Sequence, residues 1–238
     1  MFVIKSVKDE LIKLSDATRA VSSRKFFQAF PGGYGEGDDF IGVTVPDQRA
    51  VSKKFFGEVS LREIELLLNE PIHEFRLTAI FMLVLKFQKS KDEQFREEIV
   101  NLYIKNIDRI NNWDLVDSSA HLILGPQLKM DNDTGLLYEL AQSDNLWAQR
   151  IAIIATLHFI RNNQFEDTLK ISEMLLNHKH DLIHKAVGWM LREVGNKNYQ
   201  IEFNFLLKHY KQMPRTMLRY AIEKFSEEIR QNFLKGTL

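Results

Sequence analysis

The sequence predicts an all-α protein, an α-solenoid of HEAT-like helical repeats, and three observations support this fold class. Beyond Gly42, apolar residues recur at spacings of three and four, which is the period of one face of a helix. No stretch alternates polar and apolar residues cleanly, so we expect little β-structure. Helices begin about every 35 residues, a spacing typical of stacked helical pairs.

The composition indicates a globular protein with an ordinary core. The 238 residues are 45% hydrophobic and 27% charged, and 32 Lys and Arg balance 32 Asp and Glu. There is no cysteine, which excludes a disulfide framework, a thiolate metal site and a cysteine nucleophile. No apolar run reaches the roughly 18 residues of a membrane span, and the N-terminus does not have the pattern of a signal peptide. We therefore expect a cytoplasmic protein without a membrane anchor.

Residues 1–238 are expected to form one helical domain. Residues 1–45 would hold N-terminal helices and the Gly-rich segment PGGYGEGDDFIG at 31–42. We interpret this segment as a surface loop and not as a phosphate cradle, because no strand precedes it and acidic residues follow its glycines. Residues 46–238 would form the stacked pairs. Their main helices are expected to begin near 72, 109, 145, 181 and 214, with second helices at 92–106, 133–141, 164–176 and 198–210.

The recurring helices carry a basic residue and, shortly after it, a small one. A helical pair of this kind buries its apolar face only by stacking on its neighbours, and the stack curves into a long concave surface. An irregular helical bundle with accidental spacing is the alternative. The basic residues are Arg76, Arg150, Lys185 and Arg219, and the small ones are Ala79, Ala152, Ala186 and Ala221.

Three segments hold residues that could carry chemistry. NNWDLVDSSAHLILG puts Trp113 and Asp117 four residues apart, on one helical face. They could be a core aromatic beside a capping acid, or an aromatic wall beside a charge that stabilises a developing cation. DNLWAQRIAII puts Arg150 near a helix start. HKAVGWMLREVGN places Gly188 beside Trp189, which suggests close approach of a neighbouring helix or a ligand, since glycine inside a helix is unfavourable by about 1 kcal/mol.

Other enzyme signatures are missing. The chain has no Walker loop, no GxSxG and no HExxH sequence. His178, His180 and His184 lie close together, but lysines flank them and no carboxylate completes a ligand set, so we interpret them as surface histidines. We expect no metal and no organic cofactor.

Taken together, YGEGDDFIGVTVPDQR, NNWDLVDSSAHLILG, DNLWAQRIAII and HKAVGWMLREVGN resemble the HEAT-like-repeat DNA alkylation repair proteins, the AlkD-like DNA glycosylases. The resemblance runs from about residue 20 to the C-terminus. It implies a concave groove that holds duplex DNA, and excision of N3- and N7-alkylated purines without burial of the lesion in a deep base pocket. Most glycosylases, by contrast, extrude the base.

The resemblance also implies roles for single residues. Asp117 would be the catalytic carboxylate, and Trp113 and Trp189 would be the aromatic residues against the deoxyribose. Arg150 would grip a phosphate near the lesion. All four residue types are present, which favours an active enzyme. From repeat position we add further candidates for the DNA-backbone track, namely Lys185, Arg192, Arg215 and Arg219.

The first third departs most from the family pattern. The segment at 31–42 is long and acidic, and acids do not lie on phosphates, so it would either point away from DNA or tune access to the site. Phe26, Phe27 and Tyr34 could contact the duplex or simply pack between the N-terminal helices. Two other functions stay open, a non-catalytic protein that recognises damaged or branched DNA and a protein-binding solenoid. Nothing in the sequence demands more than a monomer.

Overall fold

The computed structural model describes residues 3–238, which form helices joined by turns and loops, and this confirms the all-α prediction. Within it, the β-type pairing is limited to an isolated bridge between Asp39 and Ile72. Residues 1 and 2 of the expected N-terminal segment lie outside the described range. None of the described helices is long and apolar enough to cross a membrane. The chain forms two compact units, 1–123 and 124–238, and the single-domain expectation stays a prediction.

Unit 1 is built around α5, a long helix that is buried along most of its length. Helix α5 packs against α1, α3, α4, α6 and α7. Its middle section from Leu77 to Leu83 is almost entirely buried, which explains why apolar residues surround this helix on all sides. The helices are α1 (Val3–Lys13), α2 (Ala17–Phe26), α3 (Val45–Phe55), α4 (Leu61–Leu68), α5 (His73–Lys89), α6 (Glu93–Lys105) and α7 (Trp113–Asp117), with a 3₁₀ turn at Ile107–Arg109.

Unit 2 is organised in the same way around α13. Helix α13 packs against α10, α11, α12, α14 and α15. The boundary between the units falls inside α8 (Ala120–Asp131). The remaining helices are α9 (Gly135–Gln142), α10 (Leu146–Ala155), α11 (Leu157–Arg161), α12 (Glu166–Met174), α13 (Asp181–Lys197), α14 (Tyr199–His209), α15 (Arg215–Ala221) and α16 (Glu227–Lys235), with a 3₁₀ turn at Ile222–Lys224.

The predicted helix starts agree with the structure except near residue 109. Arg109 lies in the 3₁₀ turn, and the helical stretch that follows is divided into α7 and α8. Asn112 begins α7, since its side chain accepts a hydrogen bond from the backbone N–H of Trp113 at 2.9 Å. Ser119 interrupts the stretch because its hydroxyl donates to the carbonyl of Leu115 at 2.6 Å and so competes with the helical ladder. The result is a one-turn helix that carries the WDxVD motif.

Gly188 marks a close contact between two helices. A Cβ at this position would come within 2.5 Å of the Met217 carbonyl oxygen and 2.5 Å of the Tyr220 Cβ, both on α15. The close approach that the sequence suggested is therefore made by a neighbouring helix.

Gly188→Ala is expected to lower the free energy of unfolding by about 1–3 kcal/mol, because the added methyl group pushes α15 away from α13. The helix preference of alanine, about 1 kcal/mol, acts in the opposite direction and offsets only part of this loss. Chemical denaturation measures the difference. Gly57→Ala is the control, since a Cβ there meets nothing within 4 Å. Equal stability of both variants would contradict the tight contact.

Candidate functional site

Helix α7 presents Trp113 and Asp117 on one face, one helical turn apart. Both side chains are half-buried. The opposite face of the helix carries Leu115 and Val116, which are fully buried. The apolar residues therefore anchor α7 on the core of unit 1, and the aromatic ring and the carboxylate stay at its border.

A buried histidine holds α7 from the core side. His73 is the first residue of α5 and is 2% exposed. Its Nδ1 lies 3.0 Å from Oδ2 of Asp38, and its Nε2 lies 2.8 Å from Oδ2 of Asp114. Asp114 is the first acid of the WDxVD motif and stands directly after Trp113. With a carboxylate at each ring nitrogen, His73 donates from both, as only the charged imidazolium can.

Arg76 completes this cluster one turn further along α5. It is 1% exposed, and its Nη2 donates to Oδ2 of Asp38 at 2.6 Å and to Oδ1 of Asn111 at 3.1 Å. Its Nη1 donates to the carbonyl of Pro71 at 3.2 Å. Two carboxylates thus face two cations, so the cluster is neutral in sum and each charge has a partner. Buried charges persist in proteins only under that condition.

The titration of the cluster follows from these contacts. Burial alone would lower the pKa of His73, but the charge and hydrogen bond of Asp114, with the bond to Asp38, outweigh it and raise the pKa to about 9. Burial alone would raise the pKa of Asp38, and the partners His73 and Arg76 instead hold it below its usual value. At neutral pH, His73 is therefore an imidazolium and Asp38 a carboxylate.

An aromatic cluster connects His73 with Trp113. The ring of Phe27 stacks on Trp113 at a centroid distance of 5.4 Å and lies 4.8 Å from the ring of His73. Phe40, from the Gly-rich loop, stacks on His73 at 4.9 Å. Phe26 touches Trp113 edge-on at 5.9 Å and is 65% exposed. Of the two expected roles, packing holds for Phe27, and Phe26 combines packing with a surface position.

The loop at 31–42 is thereby corrected from a pure surface loop to one anchored in the core. Asp38 is 3% exposed and binds His73 and Arg76. The backbone N–H of Gly42 donates to the buried carboxylate of Glu74 at 2.8 Å. The buried cations His73 and Arg76 require a carboxylate nearby, and this loop supplies Asp38. Glu36 and Asp39 remain exposed.

Asp117 lies within electrostatic reach of a buried tyrosine. Burial raises the pKa of Tyr103, and the negative charge of Asp117 raises it further. The hydroxyl of Tyr103 lies 2.9 Å from the hydroxyl of Ser119, just after α7. The carboxylate is therefore set beside a neutral, hydrogen-bonded polar group at the edge of the core.

In unit 2, Trp189 and Arg150 are both tied to the fold. The indole N–H of Trp189 donates to Oε1 of Glu193 at 3.0 Å, one turn along α13. Arg150 is 4% exposed, and its guanidinium donates to the carbonyl of Leu182 in the first turn of α13. This contact links α10 to α13. The phosphate contact expected for Arg150 stays a prediction.

The other predicted DNA-binding residues fall into two groups. Lys185 pairs with Asp181 at 2.8 Å, and Arg192 pairs with Glu223. Arg215 and Arg219 on α15 are exposed and, within residues 3–238, have no ion-pair partner. The structure therefore brings Trp113 and Asp117 together in unit 1 and puts the remaining predicted site residues in unit 2.

The three clustered histidines serve the start of α13. The backbone N–H of Leu182 donates to Nδ1 of His180 at 3.1 Å, and the N–H of His180 donates to Nδ1 of His178 at 3.0 Å. Burial lowers the pKa of both histidines, which keeps these nitrogens available as acceptors. His184 binds the carbonyl of His178.

Sequence reasoning missed His73, Asp38 and Phe40 as parts of the site. One signal was available, because His73 and Arg76 are charged residues one turn apart at the start of an otherwise apolar helix. Buried charges there require acidic partners. The partners come from positions 35 or more residues away in the chain, and periodicity does not identify them.

The stability of the protein is expected to fall as the pH rises through about 9. Since the pKa of folded His73 is raised above 6.5, its contribution is fully present below pH 6.5 and is lost as the folded pKa is passed. The loss amounts to about 3 kcal/mol. Denaturation at a series of pH values measures it, and His73→Gln should remove this part of the pH dependence. His158→Gln, a half-buried histidine of unit 2, is the control. A His73→Gln variant with the wild-type pH profile would contradict the prediction.

Comparisons with known proteins agree with this fold. A family model described as DNA alkylation repair enzyme matches residues 7–225. A protein of Enterococcus faecalis, described as a predicted DNA alkylation repair enzyme, has a similar structure at TM-score 0.70 and 19% identity, over 90% of this chain and 97% of that chain. AlkD2 from Streptococcus mutans is similar at TM-score 0.54 and 16% identity, over 88% and 98%. A search of curated proteins found no match.

The two solved structures confirm the predicted helical-repeat fold, and at these identities they show the fold alone. The family model covers most of the chain, from Val7 on α1 to Phe225 after α15, and includes the site on α7. The resemblance expected from the sequence is thereby confirmed. The chain belongs to the DNA alkylation repair enzyme family.

Proposed function

We propose that this protein is a DNA glycosylase that hydrolyses the N-glycosidic bond of N3- and N7-alkylated purines in duplex DNA. The observation that carries the proposal is the pairing of Trp113 and Asp117 on one face of α7. A carboxylate beside an aromatic ring, both half-buried, suits a reaction in which positive charge develops on a sugar.

The chemistry of the substrate sets what the enzyme has to supply. An alkylated purine is cationic and already a good leaving group, so it needs little help from a general acid. As the bond stretches, the deoxyribose acquires oxocarbenium character. An anion placed beforehand next to this charge lowers the barrier, and it can also orient the attacking water. Asp117 is assigned this role.

The surroundings of Asp117 favour such a role. Leu115 and Val116 bury the underside of α7, and the buried Tyr103 lies within electrostatic reach of the Asp117 carboxylate. Charges act more strongly at the border of an apolar core than in bulk water. The ring of Trp113, oriented by stacking on Phe27, offers a negative quadrupole to the same developing cation.

The family resemblance assigns roles to unit 2 as well. Trp189 is proposed as a second aromatic residue of the reaction. Arg215 and Arg219, exposed on α15, are proposed as phosphate contacts, and Lys185 and Arg192 would have to leave Asp181 and Glu223 to join them. Arg150 would bind a phosphate only in addition to its contact with Leu182.

Asp117→Asn is expected to lower the rate of 7-methylguanine release from methylated duplex DNA by about 10²–10³-fold, because it removes the charge that stabilises the oxocarbenium ion. Single-turnover release, corrected for spontaneous loss of the base, measures this. Asp9→Asn is the matched control, since Asp9 is an exposed carboxylate of the same unit on α1. An Asp117→Asn variant with wild-type rates would overturn the catalytic assignment. If the wild type released no base but still bound DNA, the protein would be a non-catalytic DNA-binding protein.

Arg215→Gln combined with Arg219→Gln is expected to weaken duplex binding for every sequence alike and to make it less sensitive to salt. Each lost phosphate contact lowers the slope of log affinity against log salt concentration by about 0.9. Fluorescence anisotropy from low to moderate salt measures the slope. Arg161→Gln is the control, because Arg161 is an exposed arginine of the same unit outside the predicted track. An unchanged slope in the double variant would contradict the assignment.

A further inference from the structure

The buried cluster around His73 has no part in the chemistry assigned to Asp117, yet it contacts the helix that carries it. His73 and Asp38 are both almost fully buried and face no solvent. We propose that His73 is a positioning residue of the reaction, which fixes the orientation of α7, and with it Trp113 and Asp117, through its hydrogen bond to Asp114. This inference rests on the proposed glycosylase function.

The need for such a residue follows from the length of α7. It has five residues, too few for a helix to be stable by itself. Burial of Leu115 and Val116 holds one side of α7 on the core. The 2.8 Å bond from Nε2 of His73 to Asp114, the residue after Trp113, holds the helix at a second point. The polar contact therefore sets the direction in which the site residues point.

A second route leads from His73 to Trp113 through aromatic rings. Phe27 lies 4.8 Å from His73 and 5.4 Å from Trp113, so it stands between them. Phe40 stacks on the ring of His73 at a centroid distance of 4.9 Å. Aromatic faces attract a cation, so the charge on His73 stabilises the stack that orients the indole.

Deprotonation of His73 would act on Asp114 more than on Asp38. Three charged groups surround the ring: Asp38 from the loop, Asp114 from α7 and Arg76 from α5. Arg109 from the 3₁₀ turn interacts with Arg76 and Asp38. Asp38 keeps Arg76 as a partner at 2.6 Å if His73 loses its charge. Asp114 has no such second cation among its described contacts. Its bond to His73, which ties α7 to α5, is therefore the first to weaken.

The test compares His73→Gln and Asp38→Asn with the wild type in single-turnover release, with His158→Gln as the control. His73→Gln retains a donor but no charge, and a displacement of the site by about 1 Å is expected to lower the rate by roughly 10- to 100-fold. DNA affinity should stay within about twofold, because neither His73 nor Asp38 reaches the surface. Asp38→Asn removes the carboxylate that pairs with Arg76, and it should lower the pKa of His73.

The pH profile tests whether the rate depends on the charge of His73. In the wild type the rate should fall as the pH rises through about 9. In Asp38→Asn the fall should move to lower pH, because one of the two carboxylates that favour the charged ring is gone. In His73→Gln the rate should be low and flat across the same range. Short reactions keep the alkylated DNA intact at high pH.

Nuclear magnetic resonance of the indole N–H groups gives a readout that does not depend on activity. The signal of Trp113 should shift in His73→Gln, whereas the signals of Trp147 and Trp189 should stay in place and report an intact fold. A His73→Gln variant with the wild-type rate and an unmoved Trp113 signal overturns the proposal. A wild type that releases no base overturns the proposed function instead. A pH-independent rate in an active wild type also overturns the role of His73.

Discussion

Unit 1 depends on a buried network of opposite charges. Asp38, His73, Arg76 and Asp114 come from three separate segments of the chain and lie within hydrogen-bonding distance of one another. Removing charges from water is highly unfavourable unless each one is paired, so these segments reach a stable arrangement only when they meet. The same meeting positions the one-turn helix α7. The candidate site residues Trp113 and Asp117 are thus positioned both by this network and by the burial of Leu115 and Val116 under α7.

The network also explains the acidic Gly-rich loop. Acids in a loop usually face water, and the exposed Glu36 and Asp39 do so. Asp38, between Gly37 and Asp39, turns inward because His73 and Arg76 need a counter-charge. The loop then contributes Phe40 to the aromatic cluster beside Trp113. The Gly-rich loop is therefore part of the support of the candidate site.

Positions that are equivalent in the repeats have come to serve different purposes. Arg76 is buried and binds the carbonyl of Pro71 just before its own helix, and Arg150 is buried and binds the carbonyl of Leu182 on α13. Arg219, by contrast, is exposed. In unit 2, glycines allow neighbouring groups to pack closely. A Cβ on Gly195 would lie 1.7 Å from the carboxylate of Glu202, whose burial raises its pKa to about 8. The repeat pattern thus fixes where helices lie, and local contacts decide what each side chain does.

The sequence by itself determined the helical fold, most helix positions and the pair of Trp113 and Asp117. These features follow from local periodicity, capping residues and spacing within one helical turn, and all of them are encoded by near neighbours in the chain. Only the tertiary structure decided that Asp38 is internal, that Arg150 is buried, and that His73 holds the WDxVD helix. Those outcomes depend on contacts across more than 30 residues, and on the rule that a buried charge must find a partner wherever the fold brings one close.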